Sequence, residues 1–348
     1  MATGISRRSY LTAAGAGALG VSLAGCLGGD SGGATTIRYA GISGAELNDL
    51  MAMFHQSDHV RENVLGRVGD DYEFEFVDVQ STPVVVNTLG ADEADAGLLA
   101  YSSMANAISE GAIEPGGTIL APLTYDGPRY ADRYASQAGS DVTDVSDLEG
   151  GSLAVNGVGS AIDIAARVVL TNEGVDPADV DFRELSFGAI PSAVEEGNVD
   201  GGTFIQPFFE MNADNLQPVF DTTDAYGSFL KIFITARNDF LDENGDAVEA
   251  WLADFWDGIQ WWADDDNAET RLDIAEEVVG LPRPVLEQLV QTEEGYYHGE
   301  DGLGIDSQWV QKPVDGMTEV GFLDEEIDVS EYVDTSYLSE DANTEPEL

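Results

Sequence analysis

The chain has 348 residues, 66 of them acidic and 14 basic, and its formal net charge is −52 at pH 7. The acidic residues are spread between apolar runs, and the hydrophobic fraction of 43% is sufficient for a folded core. This charge excludes nucleic acid as a partner, because nucleic-acid binding requires a basic face. An acidic surface suits molar salt, in which the Debye length falls to about 3 Å and self-repulsion is screened. We therefore expect a protein from a halophilic archaeon.

The N-terminal segment, residues 1–25, has the order of an export signal. Arg7 and Arg8 precede an apolar stretch at residues 11–23, which is shorter than the roughly 20 apolar residues that span a bilayer. Small residues then precede Cys26, the only cysteine of the chain. This order resembles a twin-arginine export signal that ends in a lipobox, and the resemblance implies cleavage before Cys26 and a lipid on its thiol. A chance cysteine beside an ordinary signal is the alternative.

Residues 26–35 contain four glycines and one serine and predict a flexible tether between the lipid and the folded body. We therefore expect an extracytoplasmic protein that its lipid anchors to the outer face of the cytoplasmic membrane. Because the lipid would occupy the sole cysteine, no intrachain disulfide is possible, and stability must come from burial.

Strand-like and helix-like segments alternate in the rest of the chain. Short β-rich runs predict strands at residues 36–42, 72–77, 94–99, 117–121, 152–156, 181–185 and 199–205, and helical patterns predict helices at 103–110, from 160 onward and at 191–196. This alternation predicts an α/β fold with parallel sheets built from strand–helix–strand units. From Asn238 onward the pattern is mostly helical. Its large apolar residues at helical spacing favour a core over a ligand platform: Trp251, Phe255, Ile259 and Trp262.

Several segments resemble, in the same order, those of a known family. They are 91–97 (ADEADAG), 147–155 (DLEGGSLAV) followed by Gly159 and Ser160, 170–180 (LTNEGVDPADV), 195–201 (EEGNVDG) followed by Gln206, Pro207 and Phe208, and the closing segments 320–323 (VGFL) and 333–338 (VDTSYL). The chain thereby resembles the type II periplasmic solute-binding proteins of ABC importers. Within that superfamily it is most similar to the nitrate, sulfonate, taurine and thiamine-precursor binding proteins.

The resemblance implies two α/β lobes that are joined by two crossings, with a ligand in the cleft between them. The implied crossings lie near residues 125–134 and 226–234. The implied organisation is lobe 1 at residues 36–125 and 232–338, lobe 2 at 126–231, and an acidic tail at 339–348. In sheets of this class ligands bind beyond the carboxyl ends of the strands.

The implied function is that of a receptor that binds a small molecule and delivers it to the permease and ATPase subunits of an ABC importer. The ligand would be a nitrate-, sulfonate- or taurine-like anion or a pyrimidine-like precursor, and we expect a monomer without a cofactor. A sensory or TRAP-type receptor and an enzyme on the same fold remain as alternatives. The export signal argues against the enzyme, since such enzymes need cytoplasmic substrates.

The glycine turn before the helix at residue 160 is the strongest local candidate for a binding site. Ser160 is placed to cap this helix, with Asp163 at the capping-box position. The free N–H groups of the turn and first helical residues, Gly159, Ser160 and Ala161, could then bind an oxyanion or a carbonyl group of a ligand. An ordinary cap with nothing bound is the alternative. The glycines lack the full dinucleotide fingerprint, so we do not expect a dinucleotide cofactor.

Other candidate ligand-binding residues follow predicted strands or lie near the crossings. They are Ser43, Gly44, Tyr101, Ser102, Ser103, Tyr125, Phe187, Gly188, Phe204 and Gln206, and each of them could instead be a cap or a core residue. Basic residues are scarce, and Arg129 and Lys231 both fall near the crossings. Either could pair with an anionic ligand, although neutralisation of the acidic surface is the interpretation that we favour.

Catalytic and metal-binding patterns are weak. With His55, His59 and His298 as the only histidines, the sequence offers no defensible serine–histidine–aspartate order. His55 and His59 are four residues apart, a spacing that could hold zinc, but no third ligand is evident nearby. We therefore expect these two histidines in an exposed loop, no metal site and no enzymatic activity.

Overall fold

The computed structural model describes residues 33–43, 46–127, 129–290 and 295–346. The predicted export signal, the lipidation site Cys26, the tether as far as residue 32 and the candidate ligand residue Gly44 lie outside the described residues. Among the residues described, no helix has the length and apolar character that a membrane crossing requires.

The bounds of the regular elements follow most of the sequence pattern. The described residues form strands β1 (Thr35–Gly41), β2 (Tyr72–Asp78), β3 (Ala96–Ala100), β4 (Gly117–Asp126), β5 (Arg133–Gln137), β6 (Ser152–Val155), β7 (Asp181–Glu184), β8 (Gly201–Phe204), β9 (Leu216–Asp221) and β10 (Phe229–Arg237). Their α-helices are α1 (Leu50–Gln56), α2 (Asp58–Asn63), α3 (Thr82–Gly90), α4 (Tyr101–Glu110), α5 (Ala161–Asn172), α6 (Ile190–Glu195), α7 (Phe208–Asn212), α8 (Thr223–Tyr226), α9 (Asn238–Ala263), α10 (Ala268–Val279), α11 (Arg283–Val290) and α12 (Gln308–Glu319). Every predicted strand overlaps an observed one, whereas the periodicity does not indicate β5, β9 or β10.

The strands form two five-stranded sheets, and the predicted α/β fold with two lobes is confirmed. The first sheet has the order β2-β1-β3-β10-β4 and the second the order β7-β6-β8-β5-β9. We use lobe 1 for the part built on the first sheet and lobe 2 for the part built on the second. The residue limits of the lobes at 125 and 232 stay predictions.

Both sheets are mixed, so the expectation of parallel sheets is wrong for part of each. In the first sheet β1 pairs in parallel with β2 and β3, whereas β10 is antiparallel to β3 and β4. In the second sheet β6 is parallel to β7 and β8, whereas β5 is antiparallel to β8 and β9. The reason is connectivity. The chain leaves the first sheet through β4 and returns to it through β10, so these neighbours run in opposite directions.

The long helix α9 supplies much of the lobe 1 core, as its pattern predicts. Trp251, Phe255 and Ile259 are fully buried, and Trp262 is nearly so. Burial of one such side chain contributes about 1.5–3 kcal/mol to the hydrophobic stabilisation of the fold. Gly258 lets α9 lie close to α1, since a Cβ atom there would come within 2.5 Å of the Phe54 ring.

The expectation of an exposed loop around the first two histidines is wrong. His55 lies in α1 and is buried, with Nδ1 2.9 Å from the Met51 carbonyl oxygen and Nε2 2.9 Å from the Tyr72 hydroxyl. Its ring stacks on Phe74, and burial lowers the pKa of His55 to about 4. Both ring nitrogens have protein partners, which makes burial of the neutral ring possible. His59 is exposed in α2, and no group of three or more potential metal ligands occurs among the described residues.

Candidate functional site

The turn before α5 has the predicted cap. Ser160 Oγ accepts a hydrogen bond from the Asp163 N–H at 3.3 Å, and Gly159 has the positive φ of +81° that favours glycine. The Asp163 carboxylate is buried, accepts a bond of 2.8 Å from the Gly159 N–H and pairs with Arg167 at 3.0 Å. Burial raises the pKa of Asp163, although these two partners lower it.

The chain's own carboxylates therefore occupy part of the predicted oxyanion site. Besides the bond from Gly159 to Asp163, the Val158 N–H donates to Glu184 Oε1 at 2.7 Å. Both carboxylates oppose a further negative charge on a ligand there, although Arg167 offsets the charge of Asp163. The roles of Gly159, Ser160 and Ala161 in ligand binding stay predictions.

The start of α4 connects the two lobes. Tyr101 is fully buried, and its hydroxyl donates a bond of 2.7 Å to the Ala161 carbonyl oxygen of lobe 2. Ser103 shares a hydrogen bond of 2.6 Å with Thr82, and Ser102 is buried with no hydrogen-bond partner for Oγ among the described residues. The structure thus brings Tyr101 and Ala161 together, two of the predicted site residues.

The other predicted aromatic residues lie in packed surroundings. Tyr125 is buried with its ring centroid 5.7 Å from that of Tyr297. In lobe 2, the Phe187 ring stacks on the Phe208 ring with centroids 6.4 Å apart, and Gly188 lies beside the same Phe208 ring. The Phe204 ring packs edge-on against the Phe209 ring, with centroids 6.3 Å apart. Ser43 is exposed, and its N–H donates to Asp78 Oδ1 at 3.2 Å.

A cavity of about 220 Å³ lies where elements of both lobes meet. Lobe 1 contributes residues of α9, α10 and α11 and the segment 295–300, the first crossing contributes Arg129, and lobe 2 contributes Gln206. Gln206 is the one member of the predicted ligand-binding set that lines this cavity among the described residues. Arg129 is half-exposed and pairs with Glu300 at 3.1 Å.

A buried ionic network joins the two crossings beside this cavity. Lys231 Nζ lies 2.7 Å from Asp126 Oδ1 and 3.0 Å from Asp132 Oδ2. Thr222 donates to the other oxygen of Asp126, and the Tyr296 hydroxyl donates to Asp132 Oδ1 at 3.2 Å. The network therefore links the end of β4 and the first residues of β10 to the start of β5 and the end of β9.

Burial dominates the electrostatics of this network. It raises the pKa of Asp132 to about 7, although Lys231 lowers it. Burial alone would lower the pKa of Lys231, but the two carboxylates outweigh burial and raise it. Lys231 is only 4% exposed, so the interpretation that it neutralises the acidic surface is wrong. A buried ammonium ion needs ionic partners, which the sequence places far from it along the chain.

Sequence reasoning missed several residues that line the cavity. Trp262 was predicted as core alone, while Arg271, Tyr296 and Glu300 were not singled out. The scarcity of basic residues, which drew attention to Arg129 and Lys231, applies equally to Arg271. No sequence signal places Tyr296, because it follows α11 outside any regular element.

Comparison with known proteins identifies the family. The sequence pattern of the NMT1-like family matches residues 57–278, which is more than half of the chain. The chain belongs to the NMT1-like family. No curated protein matches the chain by sequence.

Solved structures share its fold. The periplasmic aliphatic sulphonate-binding protein SsuA of Escherichia coli aligns with a TM-score of 0.65 at 18% identity, over 86% of this chain and 97% of that one. The periplasmic nitrate-binding protein NrtA of Synechocystis PCC 6803 aligns with a TM-score of 0.69 at 14% identity, over 87% of each chain. A ligand-binding component of an ABC-type import system from Staphylococcus aureus, with zinc bound, aligns with a TM-score of 0.69 at 15% identity. The alignment covers 89% of this chain and 100% of that one. At these identities the likeness shows the periplasmic-binding-protein fold, which confirms the fold that the resemblance implied.

Proposed function

We propose that this protein is an extracytoplasmic receptor that binds a small solute between its lobes and delivers it to an ABC importer. The observation that carries the proposal is the cavity of about 220 Å³, to which lobe 1, the first crossing and Gln206 of lobe 2 all contribute. A ligand that contacts both lobes favours their closed arrangement, because it binds that arrangement more tightly. The related structures named above are a sulphonate-binding protein, a nitrate-binding protein and a ligand-binding component of an import system.

The proposed ligand is a nitrate-, sulfonate- or taurine-like anion or a pyrimidine-like precursor. Gln206 is the proposed contact from lobe 2, and Ser43, Gly44, Tyr101 and the start of α5 are further candidates from the sequence. Export by the twin-arginine route and a lipid on Cys26 complete the proposal, since they place the receptor outside the cytoplasmic membrane. Mass spectrometry of the mature N-terminus tests cleavage and lipidation together.

A thermal-shift screen of the full chain in molar potassium chloride tests solute binding. The probes are nitrate, taurine, an alkanesulfonate and an aminopyrimidine. A ligand at 100 times its Kd raises the free energy of unfolding by about 2.7 kcal/mol when it binds only the folded protein. No shift with any probe would contradict the proposal.

Uptake measurements then separate the proposed role from its alternatives. Cells that lack this chain should lose high-affinity uptake of the bound solute, whereas loss of a sensory receptor would leave transport itself intact. The bound solute should also be recovered chemically unchanged after long incubation, which an enzyme on the same fold would not allow.

A further inference from the structure

Arg271 differs from the other basic residues that the structure describes. Each of the others forms an ion pair with a carboxylate, except Lys312, which is exposed. Arg271 is only 7% exposed, and it has no carboxylate partner among the described residues. In a chain of net charge −52, a buried guanidinium that pairs with no acid of the described residues is unusual and calls for a physical reason.

The guanidinium of Arg271, a residue of the cavity lining, is incompletely satisfied by the described residues. Nη1 donates to the Trp262 carbonyl oxygen, whereas Nε is buried and has no hydrogen-bond partner among the described residues. Arg271 lines the cavity together with Trp262 and Tyr296, and Gln206 lies on the lobe 2 side. Nε–H and one Nη2–H point from the same edge of a guanidinium, and that edge binds a carboxylate-like group through two parallel bonds.

The position of Arg271 in its helix adds a second reason to expect an anion. Arg271 lies in the first turn of α10, at the end where the helix dipole is positive and a cation is disfavoured. Burial lowers the pKa of Arg271, although Asp265, Asp264 and Glu300 raise it. Of these acids, Asp265 is exposed at the cavity and Glu300 already pairs with Arg129.

We infer that Arg271 recognises an oxyanion group, a carboxylate or a sulfonate, on the solute that binds in this cavity. This inference rests on the proposed receptor function and selects the anionic class from its proposed ligands. It also places the recognition of charge in lobe 1, on a side chain, and not at the start of α5. Gln206 on the opposite side would allow one ligand to contact both lobes.

The first test compares matched anionic and neutral probes on the full chain in molar potassium chloride. The probes are ethanesulfonate against ethanesulfonamide, and acetate against acetamide, measured by calorimetry on wild type, Arg271→Gln and Lys312→Gln. Lys312→Gln removes the same charge from an exposed site on α12 and serves as the control. We expect wild type and the control to prefer the anion of at least one pair, and Arg271→Gln to lose about 100-fold in affinity for it.

The outcomes separate this inference from the proposed function. Unchanged affinity of Arg271→Gln for the anions, or wild-type binding of the neutral probes as tight as that of the anions, would overturn the inference and leave the receptor function standing. A wild-type protein that binds none of the probes would contradict both.

A second measurement needs no ligand. Arg271→Met removes a buried charge that forms no ion pair with the described residues, so the ligand-free variant should unfold at a higher temperature than wild type. Arg283→Met is the control, because Arg283 pairs with Glu269 and Asp273 and its removal should give no such gain. A large loss of thermal stability in Arg271→Met would show that Arg271 has a structural role, and would overturn the inference.

Discussion

Two buried cations, Lys231 and Arg271, belong to the same interlobe region but differ in their surroundings. Lys231 has two carboxylates within 3.0 Å, so negative charges outnumber the positive charge in its surroundings. Arg271 has none among the described residues, and its Nε–H lacks a partner. A buried cation whose partners all come from the protein stabilises the connection between the lobes. A buried cation with an unpaired N–H group can still donate a hydrogen bond to a ligand.

The comparison teaches how a strongly acidic chain can still bind an anion. Most basic side chains of this protein are neutralised by its own acids, and Lys231 therefore cannot serve a ligand without losing those partners. A cation such as Arg271, which forms no ion pair with a carboxylate of the described residues, retains its capacity to form a charge-assisted hydrogen bond. Lys231 and Arg271 are both basic and both buried, so neither property shows which of them can bind a ligand. The carboxylates around each side chain make that distinction.

The largest expected effect comes from breaking the complete network. Lys231→Met would leave Asp126 and Asp132 buried without a cation, and we expect the free energy of unfolding to fall by about 3–5 kcal/mol. Denaturant unfolding in molar salt measures this loss, with Lys312→Met as the control for removal of one positive charge. Added Asp132→Asn should restore part of the loss, because it removes one of the two unpaired charges.

A change below about 1 kcal/mol in Lys231→Met would contradict the comparison. It would mean that water or a proton compensates Asp126 and Asp132 as well as the ammonium ion does. The opposite behaviour of Arg271→Met, a gain in stability, is the second half of the same comparison.

The next effect is a pH dependence of stability that arises from Asp132. Its pKa is raised from 3.8 to about 7 in the folded protein, so the folded state binds a proton that the unfolded state has released. The free energy that this group contributes is fully present below pH 4 and is lost as the pH rises to about 7. The slope in this window has an upper limit of about 1.4 kcal/mol per pH unit.

Comparison of wild type with Asp132→Asn isolates this contribution. The contribution of Asp49 to stability also decreases as the pH rises, because burial raises its pKa to about 7. The contribution of His55 increases with pH, because burial lowers its pKa to about 4. These two groups are common to both proteins, so they cancel in the difference. We expect the stability of wild type relative to Asp132→Asn to decrease from pH 4 to pH 7, and a flat difference would be incompatible with the proton assignment.

Local patterns predicted most strands of this fold, although not β5, β9 or β10, while they could not predict the ionic contacts between elements. The spacing of Trp251 and Phe255 and the cap at Ser160 depend on neighbours within one helix, so periodicity and capping rules predict them. The pair of Lys231 and Asp132 joins residues 99 positions apart. Such a contact depends on how the two crossings align, which no single-segment pattern specifies.

The candidate site was harder to predict for the same reason. Gln206 was found because it follows a strand in a recognisable segment, and Tyr101 because it begins a helix after one. The signal of Arg271 is that it has no carboxylate partner among the described residues, and this is known only once the positions of those residues in space are known. The two acids that occupy the turn before α5 were visible in the sequence, but their direction was not.

The smallest expected effect concerns that turn and sharpens the contrast with Arg271. Ser160→Ala removes the hydroxyl that accepts the Asp163 N–H, so the free energy of unfolding should fall by about 1 kcal/mol. If Arg271 holds the charged group of the solute, the affinity for the preferred anion should change by less than about twofold. Chemical denaturation and calorimetry on the same preparation give both values, with Ser192→Ala in the short helix α6 as a control. A large loss of affinity for the anion in Ser160→Ala, together with unchanged affinity in Arg271→Gln, would contradict this expectation. It would show that the ligand is recognised at the start of α5, although carboxylates already bind N–H groups there.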